Sequence, residues 1–494
     1  MASTEVTTNT QTPAPAPYRW RWPALAVVLA AGMMDLLDSL ITIVAGPQIR
    51  AHLGGGDTLI QWLAAGYTLA MASGLIVGGR LGDIHGRKRL FLLGMSGFTV
   101  ASLLCAVAQD PGMLIAFRVL QGLCGAVMLP QGLGIVTEVF PPRQRPMAFG
   151  LFGPVLSLGT IGGPVLGGWL IGANLFGTGW RMIFLINLPL GLAGVAAAVR
   201  YLPKAGVPAA RRLDVTGALI ITAAAVLLVY PTVQGRELGW PAWVFVCFAV
   251  GAALAVAFAR YEARVQRAGG DPLVALSLFG KRSFTGGLFA VVSLYCGLVG
   301  LSLIFTIYVQ VALGFSPLRA ALTTLPQAAG SVSALLASRG GLTARLGRLQ
   351  IHLGLVTAAA GVFGLWLTLR QTGGRPASWQ FAPALFVVGV GMGLALAAIF
   401  NIVLATVEPG ETGSASGVFT AVQQFGGALG AALLGTVFFG LAGRDGFATS
   451  AQRTLWVVVA LLAVAFAMTM ALPREARTFG PPPPAAPAAP NTEA

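Results

Sequence analysis

Apolar residues run along this chain in blocks of about twenty, each closed by a short cluster of Gly, Pro and charged positions. Between Trp22 and Leu472 almost every block is apolar enough to cross a hydrocarbon core of about 30 Å. The punctuation predicts fourteen helical spans, centred near residues 35, 69, 99, 125, 159, 191, 223, 251, 295, 328, 360, 392, 427 and 462. An all-α polytopic membrane protein is the fold class this pattern predicts, and an even number of spans places both termini on one side.

Composition agrees with the pattern. The chain is 56% hydrophobic and only 10% charged, with a mean hydropathy of +0.80. A soluble domain carries about 25% charged residues, so a soluble enzyme built on one apolar core is excluded. The net charge of +15 does not read as nucleic-acid binding, because the basic residues sit in short clusters between the spans. With the N-terminus inside, the predicted cytoplasmic segments hold 22 Lys or Arg and the external loops 8, the bias expected of inward-facing loops. Arginine supplies 28 of the 31 basic residues, which fits a GC-rich bacterial genome and hence a bacterial cytoplasmic membrane. Arg19 and Arg21 directly precede the first span, whose apolar run continues past any cleavage site, so it is read as an uncleaved first helix.

The chain also repeats itself. GRLGDIHGR at 79–87 follows the second span and GGLTARLGR at 340–348 follows the tenth, both fitting G-x-L-x-x-x-x-G-R. Two spans inserted between two six-helix halves would put these loops in equivalent places, a plan common among transporters. The predicted organisation is an N-terminal tail (1–22), a six-helix half (23–200), an inserted two-helix segment with its linker (201–283), a second six-helix half (284–472) and a Pro/Ala-rich disordered tail (473–494). The flank RYEARVQRAGGDPLVALSLFGKR reads either as a basic amphipathic helix on the membrane surface or as a solvated linker.

Charges inside the spans carry the candidate chemistry. MMDLLDSLITIV (33–44) places Asp35 and Asp38 three apart, on one helix face, where each carboxylate is costly in a membrane. Their titration is expected to be coupled, because two carboxylates about 5–6 Å apart repel when both are ionised. Arg118 in the fourth span keeps its charge at any working pH and needs an anionic partner or water, unless it snorkels to the interface. Counting 1.5 Å per residue puts Asp35 about 16 Å, and Asp38 and Arg118 both about 21 Å, above the cytoplasmic face. In the loop at 78–89, Gly79, Gly82 and Gly86 permit a tight turn and close helices. Asp83 there can pair with Arg87 as a gate latch, or the loop is a turn with ordinary inward-facing charge. The fifth span fits G-x8-G-x3-G-P-x2-G-G at Gly150, Gly159, Gly163, Pro164, Gly167 and Gly168, with glycines at i, i+4 and i+8 forming one close-packing face.

These pieces together resemble the Major Facilitator Superfamily, specifically its fourteen-helix drug:proton antiporter branch. GRLGDIHGRKR is similar to the loop motif after helix two, RVLQGLCGA to the fourth-helix motif with a buried arginine, and the glycine–proline pattern to the antiporter motif. LDSLITIVAGPQI (37–49) resembles the first-helix motif LDxTIVNVALPxI, with Leu40 and Ile43 standing where that motif has threonine and asparagine. WRMIFLINLPLGL (180–192) and YVQVALGFSPLRAALTTLP (308–326) also look like this branch, and the second-half loop carries Ala344 where the first has Asp83. The resemblance implies proton-driven export by alternating access, with Asp38 as the motif's acid, Arg118 as its buried base, and Asp83 with Arg87 as its gate pair. Asp35 remains an accessory acid. Protons are then the coupling ion and no other cofactor is expected. The partners expected are a hydrophobic or cationic drug or antibiotic, or one dedicated native metabolite, and the lipid bilayer; a monomer is expected.

Other polar residues within spans are candidates for the substrate cavity: Gln121, Gln131, Asn187, Tyr308, Gln310, Asn401, Gln423 and Gln424. Each reads equally as a helix-to-helix hydrogen bond. An enzyme is not expected. His52, His85 and His352 lie far apart and lack companions at metal-ligand spacing, no nucleotide-binding G-x-x-x-x-G-K-[ST] is present, and the four cysteines have no CxxC spacing.

Overall fold

A computed structural model describes residues 18–141, 144–203, 214–268, 270, 273, 277–338, 342–403 and 412–472. Residues 1–17 of the N-terminal tail, the C-terminal tail, most of the linker between the first half and the inserted pair, and Gly340 with Gly341 of the second-half loop lie outside the described residues. The described residues are helical with no strand among them, as a lipid environment requires when every backbone amide must be satisfied within its own segment.

In chain order the helices are α1 (Arg21–Leu53), α2 (Asp57–His85), α3 (Arg87–Val107), α4 (Pro111–Val139), α5 (Phe152–Ala173) and α6 (Gly179–Tyr201). Then come α7 (Val215–Gln234) and α8 (Ala242–Arg267), followed by α9 (Arg282–Ile307), α10 (Pro317–Ala337), α11 (Arg348–Gln371), α12 (Ala382–Val403) and α13 (Thr412–Thr469). Twelve helical runs among the described residues are long and apolar enough to cross a membrane, and α5 is a further apolar helix. The 58-residue α13 breaks at Gly446, whose φ of 76° leaves the helical region, so it forms two limbs. Every predicted span centre falls inside one of these helices.

The first six helices pack on one another, with α4 against α2 and α3, and α1 against α4, α5 and α6. The helices after α8 form a second bundle in which α9 packs along α13, and α12 is held between α10 and α11. Large apolar side chains point away from both bundles, among them Leu93, Leu158, Leu192 and Phe289, each at least 60% exposed, as a lipid-facing surface requires.

Close approaches rest on glycine. A Cβ on Gly78 of α2 would lie 3.0 Å from Val127 Cα of α4, and one on Gly94 of α3 would lie 2.8 Å from Met128 N. Gly86 ends α2 at φ 91°, a conformation that strains any residue with a side chain, and donates its amide to Gly82 O at 2.9 Å. The glycine face of α5 lies on α1: Gly159 against Met33 and Leu36, Gly163 against Leu37 and Leu40, Gly167 against Ile41. Gly168 faces the other bundle, where a Cβ would sit 2.7 Å from Leu318 Cα and 2.8 Å from Pro317 O of α10. Gly150 lies in the short helix before α5, with its surroundings outside the described residues.

The two bundles touch through α5–α10 and along α2–α13, and at the chain's Arg50/Asp57 end Gln310 Nε2 after α9 donates to Val44 O of α1 at 2.8 Å. The inserted pair spans both bundles there. Tyr230 of α7 meets Trp62 of α2 at 5.7 Å between ring centroids, while Thr436 of α13 donates to Thr232 O at 2.7 Å. In the α7–α8 turn, Arg236 lies 3.6 Å from Asp57 and 5.5 Å over the Phe439 ring, and Glu237 accepts from Thr58 at 2.8 Å.

Backbone atoms oppose Gly168, so they cannot yield to a side chain as a flexible rotamer would. Gly168→Val is expected to hold α5 and α10 apart. A cysteine placed at Ala321, 2% exposed on the same helix as Leu318, should then label faster with a membrane-impermeant maleimide than in the parent; equal labelling rates would contradict the packing.

Candidate functional site

Asp38 of α1 and Arg118 of α4 meet in the centre of the first bundle as a salt bridge, with both side chains 1% exposed. The shared level counted from the sequence is realised as a direct bond across 80 residues of chain. α4 is positioned by its own start, where Asp110 caps the helix by accepting from Met113 N at 3.0 Å and Pro111 occupies the first turn.

A shell of neutral donors completes the site. Asp38 Oδ1 accepts from Gln121 Nε2 at 2.9 Å and from Asn187 Nδ2 of α6 at 2.7 Å. Arg118 Nη1 also donates to Gln121 Oε1 at 2.7 Å, and its Nε to Leu63 O at 3.4 Å. Ser102 of α3 accepts from Gln121 at 2.8 Å and from Asn187 at 3.2 Å, and returns its own proton to Phe98 O. The guanidinium lies 4.2 Å over the Tyr67 ring and 5.8 Å from Phe184, so its flat faces meet aromatic rings rather than lipid. Five helices of one bundle thus converge on one ion pair.

Asp35 is placed differently. One turn from Asp38, it is only partly buried and accepts a hydrogen bond from the Tyr67 hydroxyl. A Cβ on Gly125 of α4 would lie 3.2 Å from Asp35 Oδ1, so α4 closes over this pair as well. The loop pair also forms: Arg87 Nη2 lies 3.2 Å from Asp83 Oδ1, about a third exposed, with the guanidinium covering Gly134 of α4. Gly79 lies against Pro130, and Gly82 against Gln131.

The cavity candidates have other partners in this conformation. Gln121 and Asn187 belong to the Asp38 shell, and Tyr308 is buried and donates to Gly374 O. Gln310 ties the bundles together, and Gln424 of α13 lies against Met71 of α2. Gln131 donates to Gly78 O at 2.7 Å, and Gln423 to the Tyr295 hydroxyl at 2.6 Å. Asn401 lies in α12, with its side chain outside the described residues. Leu40 and Ile43 leave no gap at Asp38, because its partners come from α4 and α6 rather than from its own helix. Tyr67 and Ser102 were not singled out from the sequence; an uncharged side chain in an apolar span carries no cost that draws notice.

Chemically the site is a carboxylate holding three donors, one of them cationic. Adding a proton to Asp38 turns an acceptor into a donor, breaks at least one of these bonds and removes Arg118's counter-charge. A buried charge stripped of its partner costs about 3–5 kcal/mol, enough to favour a rearranged bundle. Arg118→Ala is expected to destabilise the protein by about that amount, while Ser102→Ala costs about 1 kcal/mol. Thermal unfolding in detergent measures both; an Arg118→Ala midpoint no lower than that of Ser102→Ala would contradict the central role of the pair.

The model of the Major Facilitator Superfamily matches residues 27–431. The chain is 48% identical over 426 residues to a protein named as a probable actinorhodin transporter of Streptomyces coelicolor, covering 86% of this chain and 74% of that one. It is 36% identical to the puromycin resistance protein of Streptomyces alboniger, covering 84% and 81% of the two chains. It is 32% identical to the tetracenomycin C resistance and export protein of Streptomyces glaucescens, covering 84% and 75%. Among solved structures, a bacterial homologue of the human lysosomal transporter Spinster in an inward-facing, occupied conformation aligns with a TM-score of 0.64 at 16% identity, over 92% of this chain and 97% of that one. The bundles, the arginine-centred ion pair and these likenesses converge: the chain is a multi-pass membrane protein that belongs to the Major Facilitator Superfamily.

Proposed function

We propose that this protein is a proton-coupled antiporter that exports a hydrophobic antibiotic from the cytoplasm by alternating access. The observation that carries the proposal is the buried Asp38–Arg118 pair, a site whose charge balance changes by one when a single proton arrives. A proton taken from outside neutralises Asp38 and frees Arg118; its loss to the cytoplasm restores the pair. No catalysed bond change and no cofactor beyond the proton enter this cycle.

In this reading the chain crosses a bacterial cytoplasmic membrane fourteen times, counting α5 and both limbs of α13, with both termini in the cytoplasm, and works as a monomer. The excess of Lys and Arg at the Asp83/Arg87 end supports that orientation. The contacts between bundles at the Arg50/Asp57 end then lie at the outer face. The glycine face of α5 serves as a hinge surface between α1, which carries Asp38, and α10 of the other bundle.

Dedicated export of one antibiotic has a specific observation in its favour. Identity is 48% to the relative named for actinorhodin and 30% to a relative named for multidrug resistance. Inverted membrane vesicles with an imposed proton gradient, acid inside, distinguish the readings when actinorhodin, tetracenomycin C, puromycin and ethidium are added in turn. A response to one antibiotic marks a dedicated exporter, and responses to several mark a multidrug one. Compound-induced proton release is expected in the parent and absent in Asp38→Asn. Release that persists in Asp38→Asn, or accumulation that ignores the gradient, would overturn the proposal.

A further inference from the structure

One cation faces two carboxylates in the first bundle, and a single tyrosine stands between the second carboxylate and the cation. Tyr67 of α2 is 1% exposed. Its hydroxyl donates to Asp35 Oδ1, and its ring carries the Arg118 guanidinium at 4.2 Å. Asp38 occupies another side of the same guanidinium.

We propose that Tyr67 is a positioning residue that joins Asp35 to the Asp38–Arg118 pair, so that the two acids exchange protons as one unit. This rests on the proton-coupled reading above and assigns Asp35 its part in it. The hydroxyl engages Asp35, one helical turn from Asp38, and leaves the cation to Asp38. With Arg118 charged, the cluster is electrically neutral only when the two carboxyls hold one proton between them. Protonation of Asp38 releases Arg118, whose nearest remaining anion is Asp35, across the Tyr67 ring. Deprotonation of Asp35 therefore favours protonation of Asp38, and Tyr67 sets the strength of that exchange. Asp35 is less buried than Asp38.

The charged and titratable neighbours are few. α1 contributes Asp35 and Asp38, α4 contributes Arg118, and α3 contributes Cys105, whose Sγ lies 3.8 Å from Gln121 Oε1. From α6 the neighbours are Phe184 and Asn187, and α13 reaches α2 through Gln424 at Met71; all of these are neutral. Gly125 leaves just enough room beneath Asp35 and the Tyr67 hydroxyl, 3.2 and 3.5 Å from the position a Cβ would take.

Tyr67→Phe separates the two halves of this role, because it keeps the ring over Arg118 and removes only the bond to Asp35. The test is a cycle of parent, Y67F, D35N and the double variant in proteoliposomes, reading ethidium–proton exchange, or exchange of whichever antibiotic the vesicle panel identifies, against pH. Y67F is expected to keep its maximal rate within about threefold while moving the pH profile, and to have no further effect in the D35N background. A Y67F profile that does not move, or one that moves equally with and without Asp35, would overturn the role of Tyr67. Should Y67F fail to reach the membrane, D35N alone decides, since an unmoved profile there removes Asp35 from the unit. D38N runs alongside: exchange that survives in D38N defeats the antiport proposal itself, whereas an unmoved Y67F profile beside an inactive D38N defeats only this inference.

Discussion

An arginine buried inside an apolar bundle is the constraint around which this protein is organised. Arg118 cannot shed its charge, so the first bundle supplies an anion at Asp38, amide acceptors and donors at Gln121 and Asn187, a carbonyl at Leu63 and a ring face at Tyr67. These groups come from four helices, α1, α2, α4 and α6, and glycines let backbones meet between them, as at Gly78 and Gly122 between α2 and α4. Ion pair and glycine seams belong together, because the pair's geometry requires the close approach that the glycines permit.

That coupling gives the site mechanical reach. α1 lies between α4, which it meets through Asp38 and Arg118, and α5, which it meets along Gly159, Gly163 and Gly167. The next glycine of α5, Gly168, rests on the second bundle at Pro317 and Leu318. A change of charge at Asp38 is therefore three contacts from the surface on which the bundles close. The inserted helices add a second tie at the same end, with Arg236 between Asp57 of α2 and Phe439 of α13, so parting the bundles there must release one side of the α7–α8 turn.

Helix placement was legible because a bilayer forces each crossing to be a continuous apolar run. The charged members of the site were legible for the complementary reason: Asp35, Asp38 and Arg118 are too costly in such runs to be incidental, and counting residues along each helix put Asp38 and Arg118 level. Asp83 and Arg87 could be paired by their spacing alone. What the sequence conceals is lateral proximity. Asn187 is 149 residues from Asp38, and nothing along α1 shows that α6 brings an amide to it. Tyr67 was not legible, because an uncharged residue ten positions into a span that starts at Asp57 gives no sign of its neighbours. Gln121 and Asn187 read as cavity lining because an uncharged amide in a span gives no sign of which neighbour it serves.

Proton release on substrate binding to the purified protein, measured in weakly buffered detergent solution without a membrane gradient, tests the central claim most directly. Adding the transported antibiotic near neutral pH is expected to release protons from the parent protein and none from Asp38→Asn, although both bind it. Equal release from the two proteins, or tight binding by the parent with no proton released at any pH, would contradict that claim.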